Sequence, residues 1–297
     1  MSLPATIPVG NVPAPRSERI GSGDIASILG LPDAFGSPYS VWVAKTTGQE
    51  PEPDERTRAR WWWGERLEPA ILDRYAVLTP DHKPVEGGRQ KHFVHPDYPF
   101  LTATPDGLFA DENGLYITEA KLSNFDLNDG VPHRVQAQAQ WQMGISGIRR
   151  AVAAVLFISD ISRDLQIWDL DFDDYVFGMI FDRAMRFHFD HVVKNVPPPI
   201  DAHKATTAAL KRIKGEDRVA DISHLADIVE QLGKVKVAKK SIELSETELT
   251  NQIKFELDSA SVGQIDGKDA VTWRTSKSGS RTFLIKKAFL PKGSDDE

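Results

Sequence analysis

Thr104-Pro105-Asp106-Gly107, followed by Leu115-Tyr116-Ile117-Thr118-Glu119-Ala120-Lys121, is the stretch that decides how this chain folds. Side chains at i and i+2 of a strand point the same way, so Glu119 and Lys121 continue the face begun by Leu115 and Ile117. An apolar face thus ends in two opposite charges, near a carboxylate placed at a turn. That arrangement suits a divalent metal held beside an amine able to act on a metal-bound water. Between the two segments, Asp111-Glu112-Asn113-Gly114 carries Asn-Gly turn chemistry, so residues 107–110 and 115–121 are expected to form a hairpin. A carboxylate on a buried face is costly unless it is paired or metal-bound. A purely structural Glu119–Lys121 ion pair is the competing reading from spacing alone.

Around this hairpin the pattern alternates between helix and strand. Gly21 to Gly30 reads as a short helix with Asp24 as its cap. Ser37-Pro38 opens a second helix ending near Gly48, and a third runs from about Trp61 to Val77, interrupted or restarted at Pro69. Strand pieces are expected at 91–94 and 101–103. A helix follows from His133 to about Ile145, then strands at 151–158 and 165–172, then a long helix from Asp173 to Asn195 closed by Pro197-Pro198-Pro199. The order predicts an α/β fold, a mixed β-sheet core flanked by helices. Beyond Pro199, residues Leu225, Ile228, Leu232, Val235, Ile242, Leu249 and Ile253 fall on a three-four spacing, with Lys239 and Glu246 at two seam positions. This predicts a long helix packing as a hairpin or coiled coil, ahead of a β-hairpin around Ser278-Gly279-Ser280. The expected organisation is an arm at 1–18, a core domain at 19–200 and an accessory region at 201–297.

Composition narrows the chemistry. With no cysteine in 297 residues, disulfides, thiolate zinc sites and cysteine-ligated iron–sulfur clusters are excluded, so a bound metal must sit on oxygen or imidazole. No apolar run is long enough to span a bilayer, and the start, Met1 to Ser17, is proline-containing with no continuous apolar stretch. A loosely docked arm and a cytoplasmic location are therefore expected, with no membrane partner. The net charge of -7 argues mildly against nucleic acid, although a carboxylate cluster that binds metal is locally neutralised. Residues 201–297 carry 17 Lys+Arg against 16 Asp+Glu, which leaves nearly all the acidic excess in the part that holds the candidate ligands.

Glu68 shares a helical stripe with Trp61, Ile71, Leu72 and Tyr75, and joins Asp106 and Glu119 as a third carboxylate. An all-oxygen set of this kind suits magnesium, whose waters and substrate phosphate complete the octahedron. Among the alternating glutamines of 136–140, Gln138 shares a face with Arg134 and Gln142, whereas Gln136 reads as a solvated polar residue. His95 and His133 lack any zinc-ligand pairing. Trp61-Trp62-Trp63 beside Arg56, Arg58 and Arg60 has the composition of a clamp for single-stranded DNA. Three consecutive helical positions cover most of a circumference, however, so at least two of these tryptophans are expected in the core.

Four blocks, in order across residues 16–200, resemble the YqaJ-type viral recombinase nucleases, relatives of the lambda-type exonuclease within the PD-(D/E)XK nuclease superfamily. They are Arg16 with Ile20-Gly21-Ser22-Gly23-Asp24-Ile25-Ala26-Ser27-Ile28-Leu29-Gly30; Gly64 with Glu68-Pro69; Thr104-Pro105-Asp106-Gly107 with Glu119-Ala120-Lys121; and Val131-Pro132 with Gln138 to Gln140 and Met143 to Gly147. The resemblance implies a restriction-nuclease-like fold and a magnesium-dependent exonuclease, with manganese as an alternative metal. Its expected substrate is linear duplex DNA, degraded from the 5′ end in phage-type recombination inside a bacterial or phage-infected cell. Partners implied are duplex ends, a single-strand annealing protein and further copies of the chain. By the family pattern Asp106, Glu119, Glu68 and the backbone carbonyl of Ala120 bind metal, Lys121 positions and activates the water, and Gln138 supports the site. Arg16 and Ser22 would contact the 5′-phosphate. Here the chain departs from the pattern: the family block reads Ile-Gly-Gly-Ser-Asp, and Gly23 stands where its serine belongs; Val135 replaces a family tyrosine. The alternative functions are a structure-selective endonuclease, and a catalytically weak DNA-binding or scaffold protein.

Overall fold

The computed structural model describes residues 15–49, 52–124, 130–276 and 279–291. Most of the expected N-terminal arm lies outside them. The chain divides into two compact units, Met1–Gly215 and Glu216–Glu297. The boundary expected after Pro199 falls one helix short of this division.

In the first unit, helices α1 (Ser22–Leu29), α2 (Pro38–Thr47) and α3 (Glu55–Leu78) precede strands β1 (Lys83–Pro84), β2 (Phe93–Val94), β3 (Thr102–Ala103), β4 (Gly107–Asp111) and β5 (Gly114–Ser123). Helix α4 (His133–Ser146), strands β6 (Arg150–Phe157) and β7 (Leu165–Asp171), and helices α5 (Asp174–Arg186) and α6 (Lys204–Leu210) complete it. Five strands form one mixed sheet in the order β1-β4-β5-β6-β7. The hairpin β4–β5 pairs Gly107 with Thr118 and Asp111 with Gly114. β5 and β6 run parallel, and α4 is the crossover that such a pair requires. The apolar strand β6, flanked by partners on both edges, has Ala153 and Ala154 fully buried.

Successive side chains of β5 enter different layers, as the pleat dictates. Ile117 joins Ile25 and Ile28 of α1, Trp141 and Met143 of α4, and Ile180 of α5 in the larger core. Tyr116 faces the other way, packing with Ile71, Leu72 and Tyr75 of α3. Glu119, two residues beyond Ile117, therefore lies on the α4 side of the sheet and is fully buried.

Several boundaries differ from the sequence expectation for identifiable reasons. α3 begins at Glu55 because Asp54 caps it, its Oδ1 accepting from Thr57 N–H at 2.7 Å; these early turns are polar and carry no apolar period. The helix also runs through Pro69. The carbonyl of Glu65, which loses its donor there, belongs to an exposed residue and can be satisfied by water. Asp24 is not the N-cap of α1 but lies in its first turn, accepting from Gly21 N–H at 3.1 Å. The long helix after Asp173 changes at Arg186 into a π-helical turn, Phe187–Val193, and stops at Asn195, whose φ is 52°. α6 packs with the first unit, Thr206 Oγ1 donating to Ser37 Oγ at 2.6 Å.

The second unit contains α7 (Ala226–Leu257) and a three-stranded antiparallel sheet of β8 (Val262–Ile265), β9 (Lys268–Thr275) and β10 (Arg281–Ile285), in the order β10-β9-β8. The expected hairpin is β9–β10, with β8 added at its other edge. No described helix is long and apolar enough to cross a membrane.

Candidate active site

The cross-strand register brings Asp106 and Glu119 together. Gly107 pairs with Thr118, so Asp106, one residue earlier, stands opposite Glu119, and its N–H donates to Glu119 Oε1 at 3.4 Å. Asp106 Oδ2 in turn accepts from Ala120 N–H at 2.9 Å. Like charges facing each other across two strands are destabilising, which makes this pairing a feature that stability alone does not explain. Lys121 answers part of the charge. Its Nζ lies 2.6 Å from Glu119 Oε2 and 3.7 Å from Asp106 Oδ2.

Helix α4 lies over this end of β5 and contributes two amides on one face. Gln138 Nε2 donates to Glu119 Oε2 at 2.6 Å, and Gln142 Nε2 donates to Oε1 at 2.7 Å. Gln142 Oε1 is buried with no hydrogen-bond partner. From the opposite layer, α3 approaches closely because a Cβ at Gly107 would come within 3.3 Å of Leu72 Cδ1. Glu68, one turn before Leu72, is thereby brought to the site and accepts from Gln90 Nε2 at 2.8 Å. Gln90 is anchored in a left-handed conformation (φ 50°) with its N–H on the Asp106 carbonyl at 3.2 Å.

Electrostatics follow from this crowding. Burial and the neighbouring Glu119 charge push the Asp106 carboxyl up to about 8. Burial alone would lower the Lys121 ammonium, but attraction to Glu119 and Asp106 outweighs it and raises the group above its ordinary value. Lys121 is therefore a hydrogen-bond donor and a firmly held positive charge. With all three carboxyls ionised against the one ammonium, two negative charges would stand uncompensated. Among the described residues no group of three or more His, Cys, Asp or Glu side chains is already gathered as a metal cage. Even so, the donors are all oxygen, the charge excess is that of one divalent cation, and Asp106 is destabilised in its ionised form. The residues fit a hard divalent ion.

The residues expected at the 5′-phosphate lie at the start of α1. Asp24 is buried between Lys45, whose Nζ donates to Oδ2 at 2.7 Å, and Arg16, 3.8 Å away. Arg19 NH1 reaches Thr102 Oγ1 at 3.5 Å. Burial, with some repulsion from Arg16 and Arg19, lowers the Lys45 ammonium below its ordinary value. Lys45 and Arg16 thus flank one carboxylate, and the buried Ser22 Oγ has no partner. Gln142, Gln90, Arg19 and Lys45 were not singled out from the sequence. For Gln142 a signal existed, its i, i+4 spacing from Gln138; the others belong to segments with no motif. His95 and His133 take no part in the carboxylate cluster. Trp61, Trp62 and Trp63 are all exposed, at 56%, 47% and 55%. The expectation that two are core fails because α3 first meets the sheet at Leu67 and Ile71; its earlier turns extend past the core.

Fold and site together define an α/β protein with a mixed sheet and a buried carboxylate pair beside a lysine at the strand ends. Residues 14–149 match the YqaJ-like viral recombinase domain. Similar solved structures include an alkaline exonuclease from Laribacter hongkongensis, at 18% identity and a TM-score of 0.48 over 61% of this chain and 91% of that one. The same protein in complex with dAMP gives 17% identity and a TM-score of 0.48, again over 61% and 91%. A phage-related exonuclease from Haemophilus somnus 129PT gives 11% and 0.44 over 60% and 96%. No curated protein matches the chain.

Proposed function

We propose that this chain is a divalent-metal-dependent DNA exonuclease that hydrolyses linear duplex DNA from the 5′ end during phage-type recombination. The observation that carries the reading is the buried pair Asp106–Glu119 with Lys121 Nζ 3.7 and 2.6 Å from its oxygens. Asp106, Glu119 and Glu68, with the Ala120 carbonyl, would hold magnesium, manganese being the alternative. When bound, the ion supplies an acidified water and charge for the phosphate oxygens. Lys121 orients the attacking water and places an ammonium against the phosphate. Gln138 and Gln142 hold the Glu119 carboxylate in one orientation.

Substrate preference rests on two further features. Arg16 and Lys45 beside Asp24, with Arg19 close enough to act on the Lys45 charge and Ser22 at the helix start, give an excess of positive charge that suits a terminal 5′-phosphate. The exposed tryptophans of α3 lie on the helix that carries Glu68, and Arg66 stacks over Trp62 with its guanidinium carbon 3.6 Å from the ring centroid. Such an aromatic and cationic surface suits an unpaired strand. A cytoplasmic location and a single-strand annealing partner belong to the same reading.

The test is digestion of 5′-phosphorylated linear duplex labelled separately at each end, alongside covalently closed circles, with magnesium or with chelator. Wild type is expected to release the 5′ label first and to spare circles. Lys121→Ala should lower the rate about 10²–10³-fold, the range for removal of one transition-state donor. Equal rates for wild type and Lys121→Ala overturn the assignment; cutting of closed circles replaces it with an endonuclease.

A further inference from the structure

Among the described residues of the second unit, helix α7 exposes an apolar seam. Along α7, Ile228, Leu232, Val235, Ile242 and Leu249 are 60%, 53%, 63%, 68% and 60% exposed. Their three-four spacing places them at consecutive a and d positions of a heptad, with Lys239 and Glu246 at two a positions. A seam of this length on a 32-residue helix fits another helix of the same repeat, and its charges say which one and in which direction.

We infer that α7 pairs with α7 of a second copy of this chain, antiparallel, about a two-fold axis between Lys240 and Ser241. In that register each a position meets a d position of the partner: Leu232 with Leu249, Val235 with Glu246, Lys239 with Ile242, Ile228 with the half-buried Ile253. The overlap spans the whole seam. Lys239 then lies one layer from Glu246 of the other helix, and Lys236 and Glu243, both at e positions, face each other across the flank. Symmetry doubles both contacts. Parallel pairing in register instead stacks Lys239 on Lys239 and Glu246 on Glu246 at the centre of the seam, where like charges are least tolerated. Its flanking g-to-e contacts would match Gln231 with Lys236, Ala238 with Glu243 and Ser245 with Thr250, with no opposite charges among them. Glu243 also meets Lys239 of its own helix at 3.8 Å, so the four charges would form one network across the axis.

This pairing stands apart from the nuclease reading and is tested without DNA. The chain has no cysteine, so single cysteines report orientation directly. Leu232→Cys and Leu249→Cys chains, mixed and oxidised, are expected to form the mixed disulfide, while each alone gives little. In sedimentation equilibrium the full-length wild type should show a concentration-dependent rise in mass, which Leu232→Asp/Leu249→Asp removes. Circular dichroism of the aspartate variant should still report a folded chain. Rapid homodisulfide formation by Leu232→Cys alone indicates a parallel pair and overturns the proposal. So does an absence of all cross-linking, or an aspartate variant that keeps the wild-type mass.

Discussion

Replacing Asp106 by Asn should stabilise the metal-free protein, and the gain should grow with pH. An aspartyl carboxyl with an ordinary value of 3.8 sits at about 8 in the folded chain, through burial and the Glu119 charge. The sign follows from linkage. The folded carboxyl binds its proton more tightly than the unfolded one, so below about pH 4, where both forms are protonated, Asp106 imposes no penalty. Folding stability then falls as pH rises towards 8, above which the ionised group carries the full cost. At about 1.4 kcal/mol per tenfold change in proton affinity the ceiling is ~6 kcal/mol. The side chain is 17% exposed and shares its charge with Glu119 and Lys121, which reduces the expectation to about 2–4 kcal/mol. Asn keeps an oxygen for the Ala120 N–H. Urea denaturation in chelator, followed by tryptophan fluorescence, should show the two proteins alike near pH 4 or below and Asp106→Asn increasingly more stable up to about pH 9. Magnesium should narrow the gap by stabilising only the wild type. If Asp106→Asn is as stable as, or less stable than, the wild type near pH 9 in chelator, the carboxylate crowding inferred for this site is wrong.

Three other substitutions separate the parts of the structure. Gln142→Leu removes the amide on Glu119 Oε1 inside a closed layer; a loss of about 1–3 kcal/mol in urea denaturation and a fall of at least about tenfold in nuclease rate are expected. Trp61→Ala with Trp62→Ala should leave the melting temperature unchanged, because both residues are exposed. The same variant should weaken single-stranded oligonucleotide binding by about 1–3 kcal/mol per lost stack, read by fluorescence anisotropy; a large drop in melting temperature with unaltered affinity would place these side chains in the core after all. Gly144→Ala would put a methyl 2.0 Å from Phe177 Cε2, where α4 crosses α5. Thermal unfolding should show a destabilisation of about 1–3 kcal/mol or more.

The sequence carried the centre of the fold because alternation, turn chemistry and charge coincide there. β4 and β5 show strand periodicity around Asn113-Gly114, and the shared face of Glu119 and Lys121 follows from the pleat alone. Periodicity is silent where an element is polar or buried on every side. The first turns of α3 are mostly charged or aromatic, so their start went unread. α4 buries Val135, Ala137, Ala139, Trp141 and Gln142 in turn, so no face of it is marked as the site. Gln90 is an isolated polar residue in a connection, and only the fold shows that its amide reaches Glu68. Exposure of the tryptophans was equally hidden, since three adjacent residues have no period and their fate depends on where the sheet ends.

The donors that α4 sends to Glu119 are glutamines and not basic residues, and the difference has an electrostatic consequence. The carboxylate accepts from Gln138 and Lys121 on one oxygen and from Gln142 and the Asp106 N–H on the other. Arginine or lysine on α4 would satisfy the same oxygens more strongly, but would also cancel the negative charge that the proposed divalent cation would need. A neutral amide fixes the direction of a carboxylate and leaves its charge in place. The two glutamines stand on a helix whose neighbouring residues are buried, whereas Lys121 is 26% exposed on a flexible four-carbon stem. Of the side-chain donors on Glu119, Lys121 is therefore the least confined. The amides on α4 keep the carboxylate aimed.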